Sequence, residues 1–133
     1  MRRYGQMAKA LVAGALLLSF TNALSAHHSM AGYDDTKKLT LSGVVSEYQW
    51  RNPHAWVVWE VKDESGKTVQ WSGELPAINT DQALGMSKNS LKNGDEISVT
   101  INPSKLGTPD GRVWKIVKKD GTVVVDISLM RTQ

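Results

Sequence analysis

The sequence contains no cysteine. A disulfide framework and thiolate metal sites are therefore excluded, and any bound metal would rest on nitrogen, oxygen or methionine sulfur. It also lacks a long hydrophobic run. The apolar stretch at residues 10–20 has 11 residues, about half of the roughly 20 that a membrane-crossing helix needs. There is no glycine-rich loop of phosphate-cradling spacing and no Gly-x-Ser-x-Gly elbow. Serines and aspartates abound, but no spacing marks a catalytic triad, and no catalytic residue is assigned. The acidic pairs Asp34-Asp35, Asp63-Glu64 and Asp95-Glu96 sit near turns, where adjacent acids are usually solvated.

What is present divides the chain in two. Residues 1–9 carry Arg2, Arg3 and Lys9 and no acid, residues 10–20 are apolar, and residues 21–26 end on small side chains. This is the three-part pattern of a secretory signal. We expect residues 1–26 to be removed by Sec-type export to the periplasm or the medium, leaving a single domain over residues 27–133 and no membrane span. Cutting after Ala26 would make His27 the new N-terminus, which is the expected outcome. Cutting after Ser25 would begin the chain at Ala26. Three of the 16 basic residues lie in the leader and all 13 acids lie beyond it, so the mature chain is formally neutral. No basic face argues for nucleic acid. Lys115, Lys118 and Lys119, with Asp120 beside them, read as a solvated hairpin end.

The mature part reads as strands and turns. Residues 39–50 form a long, partly alternating stretch with Gly43 as a bulge or bend. Arg51-Asn-Pro53 breaks it. Residues 55–61 are a strong run of β-branched and aromatic residues, turned back through Gly66 into residues 68–74. Residues 76–91 lack such a run, and Asn79-Thr-Asp81 predicts a cap for one short helix around Gln82 to Met86. Ile97, Val99 and Ile101 alternate cleanly, and strands at 112–117 and 122–127 follow. Three strands, a short helix and two or three strands fit a mostly β fold. We expect a small five- to six-stranded barrel of the oligonucleotide/oligosaccharide-binding (OB) type with one short helix at its bottom, between about Ala77 and Leu91.

All three histidines belong to the mature chain. A free α-amine titrates near pH 8 and neutral imidazole is the commonest side-chain metal ligand. A chain beginning at His27 offers amine and imidazole from one residue, and His54 would add a third nitrogen. A chain beginning Ala26-His27-His28 offers a square of four nitrogens from its amine, two deprotonated amides and the His28 imidazole. Both arrangements suit copper(II) or a similar divalent ion, whereas structural zinc favours a tetrahedral four. The five tryptophans supply a second theme. Trp50, Asn52, His54 and Trp56 share parity and would line one side of an extended chain if Pro53 leaves the register intact, a surface suited to stacking on sugars. Trp59 has the opposite parity from Trp56, so at least one of the two is expected near the surface. For most of the tryptophans, core filling and cross-strand packing are the simpler role.

The start Ala26-His-His-Ser-Met30, together with Leu41-Ser-Gly-Val-Val45, Tyr48-Gln-Trp-Arg-Asn-Pro-His-Ala-Trp56, Trp71-Ser72 and Leu91-Lys-Asn-Gly-Asp95, resembles a family of exported bacterial proteins of unknown function. The resemblance spans nearly the whole mature chain and is most specific at His-His-Ser and Asn-Pro-His-Ala-Trp. It implies an extracytoplasmic, small barrel-like domain and no established activity. His27, His28, Asn52, Pro53, His54 and Trp56 are the positions that carry over. Where the family has Ala-x-Ala before the histidines, this chain has Leu24-Ser-Ala26, which keeps both cleavage points open. The sequence therefore leads to an exported binding protein holding copper, or another divalent metal, at His27, His28 and His54. The alternatives are a carbohydrate- or peptide-binding barrel that uses its tryptophans without metal, and a copper-dependent redox enzyme of the N-terminal histidine kind.

Overall fold

The structure is a computed structural model and describes residues 30–132. The expected leader (residues 1–26), His27 and His28 lie outside those residues. After a 3-10 turn at Met30–Gly32 come β1 (Leu39–Gln49), β2 (His54–Lys62), β3 (Thr68–Ala77), α1 (Ile78–Ala83), β4 (Glu96–Pro103), β5 (Asp110–Lys118) and β6 (Val123–Asp126), then a second 3-10 turn at Ile127–Thr132. The strands run in the order β3-β2-β1-β4-β5-β6, and β3 also pairs with β5. That added pairing, parallel between Ser72–Glu74 and Asp110–Arg112, closes five strands into a barrel. The expected OB-type topology is thus the one observed, with β6 as an extra strand on β5.

Alternation explains why this chain closes. In β2 the odd positions Ala55, Val57, Trp59 and Val61 are buried, and the even positions are half-buried or exposed. β4 buries Ile97, Val99 and Ile101 in the same way. With Val45, Leu75, Val113, Ile116 and Val125 they form one core. Of the three lysines expected at a solvated hairpin end, Lys119 is exposed and pairs with Glu96, whereas Lys115 and Lys118 are half-buried and pair with Asp126 and Asp95.

Two local expectations are corrected. The irregularity in β1 falls between Val45 and Glu47 and not at Gly43. Gly43 has another purpose, because a Cβ there would collide with the Glu60 carbonyl on β2. It sits where β1 turns from β4 toward β2, pairing with Ile97 just before Val44 pairs with both Glu96 and Glu60. The helix begins at Ile78, directly out of β3, and ends before Gly85, whose φ of 89° only glycine adopts freely. Asn79, Thr80 and Asp81 therefore lie inside the helix. Its N-cap position, Ala77, makes no side-chain capping bond.

Candidate functional site

The β2 side chains that point away from the core begin with His54 and Trp56. Trp56 pairs across to Glu74 on β3, Glu74 with Arg112 on β5, and Arg112 with Asn102 on β4. These residues form one row over four strands on the outside of the barrel. The N-terminal segment 32–38 crosses this row like a strap. Tyr33 bridges Ser104, Asp34 N–H donates to the Pro103 carbonyl at 2.9 Å, and Lys105 N–H donates to the Gly32 carbonyl at 3.0 Å. Asn102 Nδ2 donates to the Lys37 carbonyl at 2.6 Å, and the Lys38 ammonium lies 4.0 Å from the centre of the Trp114 ring. Under the strap, Glu74 and Asn102 are buried although they face outward, and Tyr33 is buried with them.

Glu74 is the junction of the site. Its Oε2 accepts the Tyr33 hydroxyl at 2.7 Å, and its Oε1 lies 3.6 Å from His54 Nδ1. His54 Nδ1 is 2.8 Å from the Leu75 carbonyl. A carbonyl only accepts, so Nδ1 carries the proton and a neutral ring presents its lone pair at Nε2. The side chain is 37% exposed, which gives that nitrogen access to solvent. Burial and the hydrogen bond to Glu74 push the Tyr33 hydroxyl well above the ordinary tyrosine range, so it remains a donor at any physiological pH. Arg112 Nη2 donates to Asn102 Oδ1 at 3.2 Å and ties the far end of the row together.

A second acid lies at the barrel bottom. Asp81 on α1 is fully buried, and neither carboxylate oxygen has a hydrogen-bond partner among the described residues. Burial raises its pKa to about 7, with the His54 charge opposing. Tyr48, whose hydroxyl donates to the Ser87 carbonyl at 3.0 Å, is raised well above its usual range by burial and by the Asp81 charge.

The residues expected in the site are only partly gathered. His54 and Trp56 share the outer face of β2. Asn52 is exposed in the turn, beside the cis Asn52–Pro53 peptide. Trp50 packs on the core and against Tyr48, their ring centres 6.3 Å apart. Trp59 is fully buried with Trp71 against it at 6.4 Å, whereas Trp56 is half-buried, as the opposite parity of Trp56 and Trp59 required. No group of three His, Asp or Glu side chains converges to hold a metal among the described residues. Glu74 and Asp81 were not anticipated. Strand parity places Glu74 on the outer face, where Tyr33 of the strap and His54 lie against it. Asp81 stood in what looked like a capping motif. A lone acid next to the buried apolar Leu75 was the one available hint.

No curated protein matches the chain. The profile of DUF6152, a family of unknown function, matches residues 13–113. That match takes in residues 13–20 of the apolar run, all three histidines and every strand from β1 to β4, and with it the chain belongs to this family of unknown function.

Proposed function

We propose that the protein is a small exported binding protein that holds copper(II), or a similar divalent ion, with His54 and the N-terminal histidines His27 and His28. One observation carries the reading: His54 is fixed through Nδ1 by the Leu75 carbonyl, with Glu74 alongside, and offers Nε2 at a half-exposed position. A ligating histidine is oriented in this manner, its second nitrogen donating to a carbonyl or carboxylate. The strap supplies the geometric support. Tyr33 reaches the same Glu74 carboxylate that borders His54, and His27 lies six residues upstream, a chain length of at most about 20 Å. A single imidazole on the barrel needs further donors, and the amine and ring of His27 supply nitrogen ligands of the type copper(II) prefers.

The tryptophan-based reading has weaker support, since one of the five is fully buried and the other four are half-buried. Copper titration of protein recovered with its native N-terminus, followed by visible absorption and electron paramagnetic resonance, tests the proposal. His54→Ala, and a variant with one extra residue before His27, should each weaken copper binding at least about tenfold, because each removes a ligand nitrogen. Binding should fade below about pH 6, where imidazole and amine are protonated. Unchanged affinity and spectra in both variants would overturn the proposal and turn attention to sugar binding on the β2–β3 face, where barrels of this topology take oligosaccharides.

A further inference from the structure

The helix at the barrel bottom carries a buried acid, Asp81, that has no hydrogen-bond partner among the described residues. α1 has six residues, too short to persist without tertiary contacts. Its attachment includes the Ile78 N–H bond to the Pro53 carbonyl at 3.2 Å and a closing bond from Met86 N–H to the Asp81 carbonyl at 2.9 Å. In the loop that follows, Met86 and Leu91 are buried in the core. Asp81 is fully enclosed, and neither of its oxygens is hydrogen-bonded among the described residues. A carboxylate cannot be kept charged in such a place without a large penalty, whereas a carboxylic acid can.

The groups facing it do not cancel that penalty. From β1 comes the Tyr48 ring, whose hydroxyl is committed to the Ser87 carbonyl. From β2 comes His54, which shares no hydrogen bond or ion pair with Asp81. Glu74, the titratable residue of β3, is turned to Tyr33 and His54. In the loop that follows, Lys88 and Lys92 are exposed and Asp95 is bound to Lys118.

We propose that α1 is a proton-held plug: Asp81 keeps it seated while protonated, and loss of that proton lets the helix leave the barrel bottom and expose the apolar end of the core. The sign follows from linkage. The acid titrates at about 7 when enclosed, against 3.8 when free. The stability it gives the closed state is therefore complete below the free value, is lost as pH rises toward neutrality, and changes no further above about 7.

Hydrogen exchange of the full chain, free of metal and followed residue by residue between pH 5 and 8, tests the plug. Once corrected for intrinsic rates, protection at the Leu84 and Met86 amides should fall about tenfold per pH unit up to about pH 7 and then level off. It should also lie well below that of the core residues Val99 and Ile116, marking a separate local opening. Asp81→Asn should make protection at Leu84 and Met86 independent of pH. Asp81→Leu should hold it high at pH 7, which guards against a variant that is merely loosened by a buried amide. Flat protection in the unmodified protein, the same slope in the Asn variant, or α1 protection equal to that of the core at every pH would each overturn the proposal.

Discussion

A methyl group at position 43 would strike the Glu60 carbonyl, a rigid main-chain atom in the neighbouring strand. Gly43→Ala should therefore force β1 and β2 apart and lower the free energy of unfolding by about 2–4 kcal/mol, as overpacking against backbone does. Denaturant melts of the two proteins measure this, and a difference under about 0.5 kcal/mol, the scatter of ordinary surface changes, would show that the strands separate easily. The sequence marked Gly43 as a bulge or bend. Its actual constraint is the proximity of a second strand, which no local pattern encodes. The same limit hid Glu74 and Asp81. A residue's own neighbours predict its face, and its burial is decided by whatever crosses that face from elsewhere in the chain.

Among the elements, the strap has the fewest local signals and the most influence on the site. Residues 32–38 form no strand of their own, yet they meet the β4–β5 end through main-chain bonds at Asp34 and Lys105 and through the bond from Tyr33 to Glu74. Tyr33→Phe leaves the ring in place and removes the donor, so a buried carboxylate oxygen loses its partner. The expected cost is about 1–3 kcal/mol, with faster hydrogen exchange at Asp34 and Lys105. If those two amides keep their protection, the main-chain bonds hold the strap without the tyrosine. The strands were legible because β-branched and aromatic residues alternate with polar ones over most of their length. The helix was legible within its span of about Ala77 to Leu91, but it starts earlier than the expected Gln82 to Met86. Asn79-Thr-Asp81 looks like an entry signal, but β3 runs on to Ala77 and passes straight into the helix, leaving no residue free to cap it.

For the whole molecule, the order of strands and helix was enough to propose a closed barrel, because few small topologies place a helix between the third and fourth of five strands. The seam was not legible. Only three residue pairs join β3 to β5, Ser72–Glu74 against Asp110–Arg112, and the ladder there is parallel whereas every other strand pairing is antiparallel. β1–β2 and β2–β3 are hairpin neighbours that close short loops. The seam must bring together segments separated by α1, the following loop and all of β4, and so carries a larger loop-closure entropy for few contacts. Its contacts should accordingly be among the last to form, after the rate-limiting barrier for folding has been crossed. Gly73→Ala probes this directly, since a Cβ there would sit 2.7 Å from Val113 Cγ2 across the seam. In a stopped-flow chevron it should speed unfolding and leave the refolding rate nearly unchanged, a φ-value near zero. A refolding rate slowed in proportion to the lost stability would mean that the seam belongs to the nucleus. On the expected result, the barrel's lifetime is set along one three-residue line, while its speed of assembly is set by the hairpins on the opposite side.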